Sequence, residues 1–246
     1  LDAEPRPEPR AGFFFVSLLS TAMFFQNHYR AMLFDMDGTL VDSAGGLADA
    51  VNDLRRERGL PALPVERFRK AASAGSPALL KAGLGITPDA PEYLAVREEF
   101  FRAYDRRCGL APALFPGVAE VIGRIRELGL PWGIVTNKPQ AFADKIVDAS
   151  PVLGSCRAVV GARLELLPKP EPDGILVALE ALGVPPEHSA YCGDDARDIL
   201  AGKRAGADTI FAAWGYSEPY APEVLALCPK RILERPEELL EILPRD

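Results

Sequence analysis

Histidine is nearly missing from this chain: His28 and His188 are the only two among 246 residues, and neither stands in a nucleophile motif. Imidazole is the side chain that titrates near neutrality, so its scarcity turns the search for acid and base groups toward carboxylates. Cysteine is sparse too. Cys108, Cys156, Cys192 and Cys228 lie far apart with no C-x-x-C pair, which excludes a zinc site and a disulfide framework. They read as reduced structural thiols, and the expected location is cytoplasmic. Excess positive charge is also lacking: 28 Lys and Arg face 35 Asp and Glu, a net charge of -7. No basic stripe is left for nucleic acid, and a phosphorylated ligand would need a local positive centre.

Long apolar runs are absent as well. The segment from Gly12 to Phe25, GFFFVSLLSTAMFF, falls short of the roughly 20 residues that a membrane-spanning helix needs. Glu4 and Glu8 spoil the basic leader of a secretory signal, and no convincing small-residue cleavage site follows. Residues 1–29 are therefore expected to lie outside the fold. Either translation begins near Met23 or Met32, or these residues form a poorly ordered or surface-docked extension. No membrane partner is expected.

What is present is an ordinary globular balance, 48% hydrophobic and 26% charged, enough for one large domain or two small ones. Met32, Leu33 and Phe34 form an apolar run that stops at Asp35, Asp37 and a Gly38 turn, the pattern of a central strand with acids at its carboxyl end. Helical spacing follows: Leu47, Ala50, Val51 and Leu54 predict a helix over 47–58 closed by Gly59. Shorter helices are expected over 65–72 and 76–82, and a longer one over 92–107, capped by Asp89 or Thr87. Residues 44–112 thus read as a small helical cap domain inserted between the first strand and the rest.

From Phe115 onward helices and strands alternate. Helices are predicted over 118–128, 140–148, 173–182 and 196–205, and strands over 132–135, 158–160, 189–192 and 209–213. Short apolar strands alternating with amphipathic helices imply an α/β fold, a doubly wound parallel Rossmann-like sheet with right-handed crossovers. The catalytic core would comprise residues 30–43 and 113–246.

Four chemically loaded pieces fall at strand ends or just beyond: Asp35 and Asp37; Thr136 and Asn137; Lys169 between two prolines; and Asp194, Asp195 and Asp198. In a parallel sheet the carboxyl ends of all strands share one edge, so these residues are expected to converge in one crevice. Up to five carboxylates facing essentially one lysine would repel strongly, which calls for a cation. Oxygen ligands without His or Cys favour a hard ion, and a phosphoryl substrate favours Mg²⁺. Alone, each piece has a plainer reading: a polar loop for D-x-D, a cap for Thr136, a solvated charge for Lys169, a helix N-cap for GDDARDI. Their joint occurrence at one sheet edge reverses those odds.

The motifs DMDGTLVDS, IVTNKP, PKPEP and GDDARDI, in this order, resemble those of the haloacid dehalogenase superfamily of phosphohydrolases, over Met32 to about Ala213. The helical block is placed where the phosphoglycolate phosphatase-like branch carries its cap. FRAYDRRC, LPWGIVTNKP and GDDARDILAGKRAGADTIFAAWGY are also similar to N-acetylmuramic acid 6-phosphate phosphatases. The chain departs from its relatives after Asp42, with Ser-Ala-Gly-Gly in place of a common Pro-Asp pair.

This resemblance implies that Asp35 attacks phosphorus and carries an aspartyl-phosphate, with Asp37 as acid and then base. Gly38, the Thr136 hydroxyl, the Asn137 amide and Lys169 would contact the phosphoryl group. The Asp35 and Asp194 carboxylates and the Asp37 main-chain carbonyl would hold Mg²⁺. Asp198 would act through water or orient Lys169, with Asp195 supporting it. In the cap, the small-residue turn with Ser73 and Gly75 is the expected substrate contact, its plainer reading being a helix linker. Arg67, Arg69, Lys70 and Lys81 are candidates for holding a substrate carboxylate, against the plainer reading of solvated charges. The expected protein is a Mg²⁺-dependent phosphatase for a small phosphorylated metabolite, phosphoglycolate phosphatase-like in the first place, monomeric or homodimeric. An N-acetylmuramic acid 6-phosphate phosphatase or a sugar phosphomutase is the alternative, and a non-catalytic binding protein on the same scaffold is the different-class one. A dehalogenase has no need of Asp37 and the metal acids.

Overall fold

The structure, a computed structural model, describes residues 29–110 and 112–244, so the expected extension falls outside it except for Tyr29. Tyr29 corrects that boundary. Its ring is buried and its hydroxyl donates to Asp208 Oδ2 at 3.0 Å, so it is part of the fold.

Strand β1 (Ala31–Phe34) is buried along its whole length, because both faces of the sheet are covered. Met32 and Phe34 pack into one apolar layer, while Ala31 and Leu33 pack into the other. A chain starting at Met32 would lack Ala31 and Tyr29, two of these buried contacts. Four helices follow: α1 (Ala44–Glu57), α2 (Glu66–Ala72), α3 (Gly75–Leu84) and α4 (Tyr93–Asp105). Helix α1 packs on the other three and starts three residues before the predicted Leu47. Neither Asp89 nor Thr87 caps α4. Glu92 holds the N-cap position without a side-chain bond, because turns closed by Ala90 N on Thr87 O and Tyr93 N on Ala90 O lead the chain into the helix.

The alternating part runs α5 (Val118–Glu127), β2 (Trp132–Pro139), α6 (Gln140–Asp148), β3 (Ala158–Ala162), α7 (Asp173–Leu182), β4 (Ser189–Gly193), α8 (Ala196–Ala205) and β5 (Asp208–Ala212). Helix α9 (Pro222–Ala226) and edge strand β6 (Arg231–Leu233) complete it; both are too short to leave a periodic signature in the sequence. Among the described residues the sheet has six parallel strands, ordered β3-β2-β1-β4-β5-β6. Strand order reverses at β1, the switch point where such sheets open a crevice. Phe34 is level with Ile134 on one side and Cys192 on the other, so β1 and β4 end together. Strand β2 runs four residues past the predicted Val135, with a register shift against β3 between Val135 and Pro139. That extension carries Thr136, Asn137 and Lys138 beyond the level of Asp35.

Candidate active site

Asp35 follows β1 directly, and its backbone N–H donates to Cys192 O at 2.8 Å, which locks it to the end of β4. Its Oδ1 accepts from Lys169 Nζ at 2.7 Å, although the two lie 134 residues apart. The same ammonium donates to Asp198 Oδ1 at 2.6 Å and Tyr191 Oη at 2.8 Å. Burial alone would lower the Lys169 pKa, but the carboxylates of Asp198 and Asp35 raise it, so the lysine stays cationic. Asn137 holds the loop that carries Lys169. Its side-chain amide donates to Lys169 O at 3.0 Å and accepts from Lys169 N at 2.8 Å, a bracket that sequence reasoning had not assigned to it. Burial pushes the Asp35 carboxyl up to about 6 despite Lys169, and the charges of Asp198 and Asp37 add to that push.

A second buried lysine corrects the expectation of one positive centre. Lys138 Nζ lies 2.9 Å from Asp37 Oδ2 and donates to Tyr104 Oη at 3.0 Å, with its side chain 4% exposed. Burial would depress this ammonium, but Asp37 and then Tyr104 raise its pKa. A signal for Lys138 was present: in a strand, residues two apart share a face, so Lys138 follows Thr136 toward the crevice. Thr136 Oγ1 accepts from Lys138 N at 3.2 Å, which leaves its hydroxyl proton available.

Asp194, at the end of β4, is fully buried; its Oδ2 accepts from Tyr216 N at 2.8 Å and from Ser73 Oγ at 3.1 Å. Among the described residues its Oδ1 is buried without a partner, as is Asp37 Oδ1. Burial raises the Asp194 pKa well above the carboxylate range, followed by repulsion from Asp35 and Asp198. Carboxylate oxygens of Asp35, Asp194 and Asp198 lie within 4.8 Å of one another. Orphaned buried oxygens on such a cluster fit a hard cation. Asp35 and Asp194 are the better donors, since Asp198 is already spent: Oδ1 takes Lys169 and Tyr191, and Oδ2 accepts from Asp195 N at 3.0 Å. Asp198 and Asp195 form a capping box at the start of α8, as the N-cap reading of GDDARDI has it. Asp195 also pairs with Arg197 at 2.8 Å, and that contact, against the effect of burial, lowers its pKa.

Gly38 lies under Asp194 and does not line the cavity. Its φ is +91°, and a Cβ there would stand 2.3 Å from Asp194 Oδ2.

Between the acids and the helical layer lies a cavity of about 360 Å³. Asp35, Asp37, Thr136, Asn137, Lys138 and Lys169 line it from the sheet edge, and Tyr93, Phe100, Phe101, Tyr104 and Phe142 give it an aromatic wall. Ser73 and Gly75 are among its lining residues, with Gly75 at φ +75°, and the Ser73 hydroxyl is directed at Asp194. Arg67, Arg69, Lys70 and Lys81 do not line it; Arg69 is instead paired with Asp42 at 3.1 Å. The helical layer's basic residue in the wall is Arg97, on α4, which sequence reasoning missed because only the packing of α4 on α1 and α3 turns it inward.

The chain matches the model of the haloacid dehalogenase-like hydrolases over residues 29–206. It is 40% identical over 190 residues to the phosphoglycolate phosphatase of Xanthomonas campestris pv. campestris, covering 76% of this chain and 84% of that one. With the N-acetylmuramic acid 6-phosphate phosphatase of Pseudomonas aeruginosa it shares 34% identity over 222 residues, 88% of this chain and 95% of the relative. The solved structure of a haloacid dehalogenase-like hydrolase from Streptococcus pneumoniae shares the fold at a TM-score of 0.73 and 24% identity, covering 87% of this chain and 98% of that one.

Proposed function

The chain belongs to the haloacid dehalogenase-like hydrolases and is a phosphatase, and from that premise we propose that it hydrolyses the phosphate monoester of a small metabolite through Asp35, with Mg²⁺ as its ion. One observation carries this reading: the buried Asp35 carboxylate lies 2.7 Å from the Lys169 ammonium, inside a cluster whose Asp194 Oδ1 has no partner among the described residues. An Asp35 oxygen forms a bond to phosphorus as the bond to the leaving oxygen breaks, and Asp37 gives that oxygen its proton. Asp37 then takes a proton from water, whose oxygen displaces the Asp35 carboxylate and releases inorganic phosphate. Lys169, the Thr136 hydroxyl and the Asn137 backbone amide stabilise charge on the transferring group, while Lys138 holds Asp37 in place. Mg²⁺, held by the carboxylates of Asp35 and Asp194 and the main-chain carbonyl of Asp37, would supply positive charge to the approaching anions.

The helical layer, residues 44–112, acts as the cap that closes over substrate and excludes water. Two substrates named by the relatives differ in size. Similarity to phosphoglycolate phosphatases supports a two-carbon phosphorylated acid. Such a molecule would leave most of the aromatic wall wet, so the breadth of the cavity favours the second reading, N-acetylmuramic acid 6-phosphate, named by the relative aligned over more of the chain. No helix of the described residues is long and apolar enough to cross a membrane. We place the protein in the cytoplasm as a monomer or homodimer, without a nucleic-acid partner.

Phosphate release from 2-phosphoglycolate, N-acetylmuramic acid 6-phosphate and several sugar phosphates, with and without Mg²⁺, tests the reading. The expected result is Mg²⁺-dependent release that Asp35→Asn lowers by at least about 10³-fold. Release that persists in Asp35→Asn would reject the nucleophile, and sugar phosphate isomerisation without release would indicate a mutase.

A further inference from the structure

Among the described residues four cationic side chains line the cavity, and three of them are matched by acids. Lys169 is held by Asp35 and Asp198, Lys138 by Asp37, and Arg197 by Asp195. Arg97 differs. Among the described residues its guanidinium faces no carboxylate: Nε donates to Ser76 Oγ at 3.2 Å, and the group stacks over the Phe101 ring at 4.5 Å from its centre. Stacking fixes the plane of the guanidinium, and a hydroxyl uses only one of its five N–H donors. A half-buried, oriented guanidinium with spare donors in a cavity wall is a receptor for a planar anion.

Its placement sets the ligand's shape. Arg97 belongs to α4 along with Tyr93, Phe100, Phe101 and Tyr104, whereas the phosphoryl-handling groups come from the sheet edge. A substrate that touches both Arg97 and those groups lies against the aromatic side chains that α4 contributes. We propose that Arg97, with Ser76, recognises a carboxylate at the end of the substrate opposite the phosphate, across a body the size of a sugar ring. This inference rests on the phosphatase reading and adds the residue that selects the substrate. Lys would serve less well there, since a point charge cannot make the bidentate pair.

The test compares N-acetylmuramic acid 6-phosphate with N-acetylglucosamine 6-phosphate, which lacks the lactyl ether and its carboxylate. For the wild-type protein with Mg²⁺, kcat/KM is expected to be at least tenfold higher for the carboxylated sugar. In Arg97→Gln that ratio should fall to near one, with KM for N-acetylmuramic acid 6-phosphate carrying the loss, and Arg97→Lys should restore part of it. Because the ratio is taken on one preparation, a partly misfolded variant cannot imitate the result. Equal wild-type kcat/KM for the two sugars, or a ratio that survives in Arg97→Gln, would overturn the inference while leaving the phosphatase reading intact. Release from 2-phosphoglycolate but from neither sugar would likewise overturn the inference alone, whereas failure of the wild-type protein to release phosphate from both sugars, 2-phosphoglycolate and p-nitrophenyl phosphate would overturn both.

Discussion

Lys138 Nζ stands 2.9 Å from Asp37 Oδ2 and reaches Tyr104 Oη, so one ammonium ties the proposed acid and base to helix α4. Burial holds the Tyr104 hydroxyl up at about 12, so it stays protonated and neutral beside the pair. The contact therefore has two consequences, one for proton transfer and one for how the helical layer seats on the sheet.

Lys138→Met should separate them. Removing one partner of a buried pair leaves the other charge uncompensated, at a cost of about 3 kcal/mol. For a chain of this size that lowers Tm by roughly 6–12 °C. Turnover should fall further than unfolding accounts for, since Asp37 loses the group that orients it. A thermal melt together with phosphate release measured well below the variant's Tm checks both; wild-type kcat in the variant would remove Lys138 from the mechanism.

Much of this site was legible before any coordinates. Helices α6, α7 and α8 run between the residues predicted for them, because each carries an amphipathic stripe bounded by a turn or cap. Asp35, Thr136, Lys169 and Asp194 could be placed together because strand ends in a parallel sheet share an edge. Arg97, Tyr104 and Arg197 were not legible, since their inward direction depends on how helices pack rather than on local pattern. The C-terminal edge strand was missed for another reason: three residues flanked by charges carry no period.

The acid cluster predicts how pH and Mg²⁺ act together. Asp35 has its pKa raised from the ordinary 3.8 to about 6, and that of Asp194 is raised too. Between those two values the folded, metal-free protein keeps a proton that the unfolded chain has already lost. Asp35 therefore costs stability progressively as pH rises through that window, and Asp194, raised in the same direction, adds to the cost. A cation that binds the ionised carboxylates relieves the cost at high pH but competes with protons at low pH. The rise in Tm on adding Mg²⁺ should thus be larger at pH 7.5 than at pH 5. Comparing melts with and without the ion at each pH cancels the acids elsewhere; equal rises would sink this account of the cluster.

Gly38 makes a tight backbone approach to the proposed metal site. Gly38→Ala adds a methyl 2.3 Å from Asp194 Oδ2 and keeps a φ of +91° that a side chain rarely adopts. Strain of about 1–3 kcal/mol is expected from the backbone alone. Because the obstructed atom belongs to a proposed ligand, Mg²⁺ affinity should drop at least about tenfold, beyond what loss of fold explains. Calorimetric titration with Mg²⁺ on protein verified as folded by circular dichroism decides it, and unchanged affinity would place the ion elsewhere.

Asp198 is the strongest test of how the site is supported, because its two oxygens serve different structures. Oδ1 takes Lys169 and Tyr191, while Oδ2 closes the capping box by accepting from Asp195 N. In Asp198→Asn the amide oxygen can still serve one of these, but the charge that balances Lys169 is gone. The lysine then has Asp35 as its one anionic partner, the pairing tightens, and the nucleophile is less free to attack phosphorus. The expected outcome is a loss in kcat on the order of 10²-fold with KM changed much less, the result for a residue that acts through Lys169. Were Asp198 instead an indispensable ion ligand, the loss would appear as weakened Mg²⁺ activation and would be recovered at high Mg²⁺; measuring kcat across a Mg²⁺ series separates a residue that positions Lys169 from one that holds the metal.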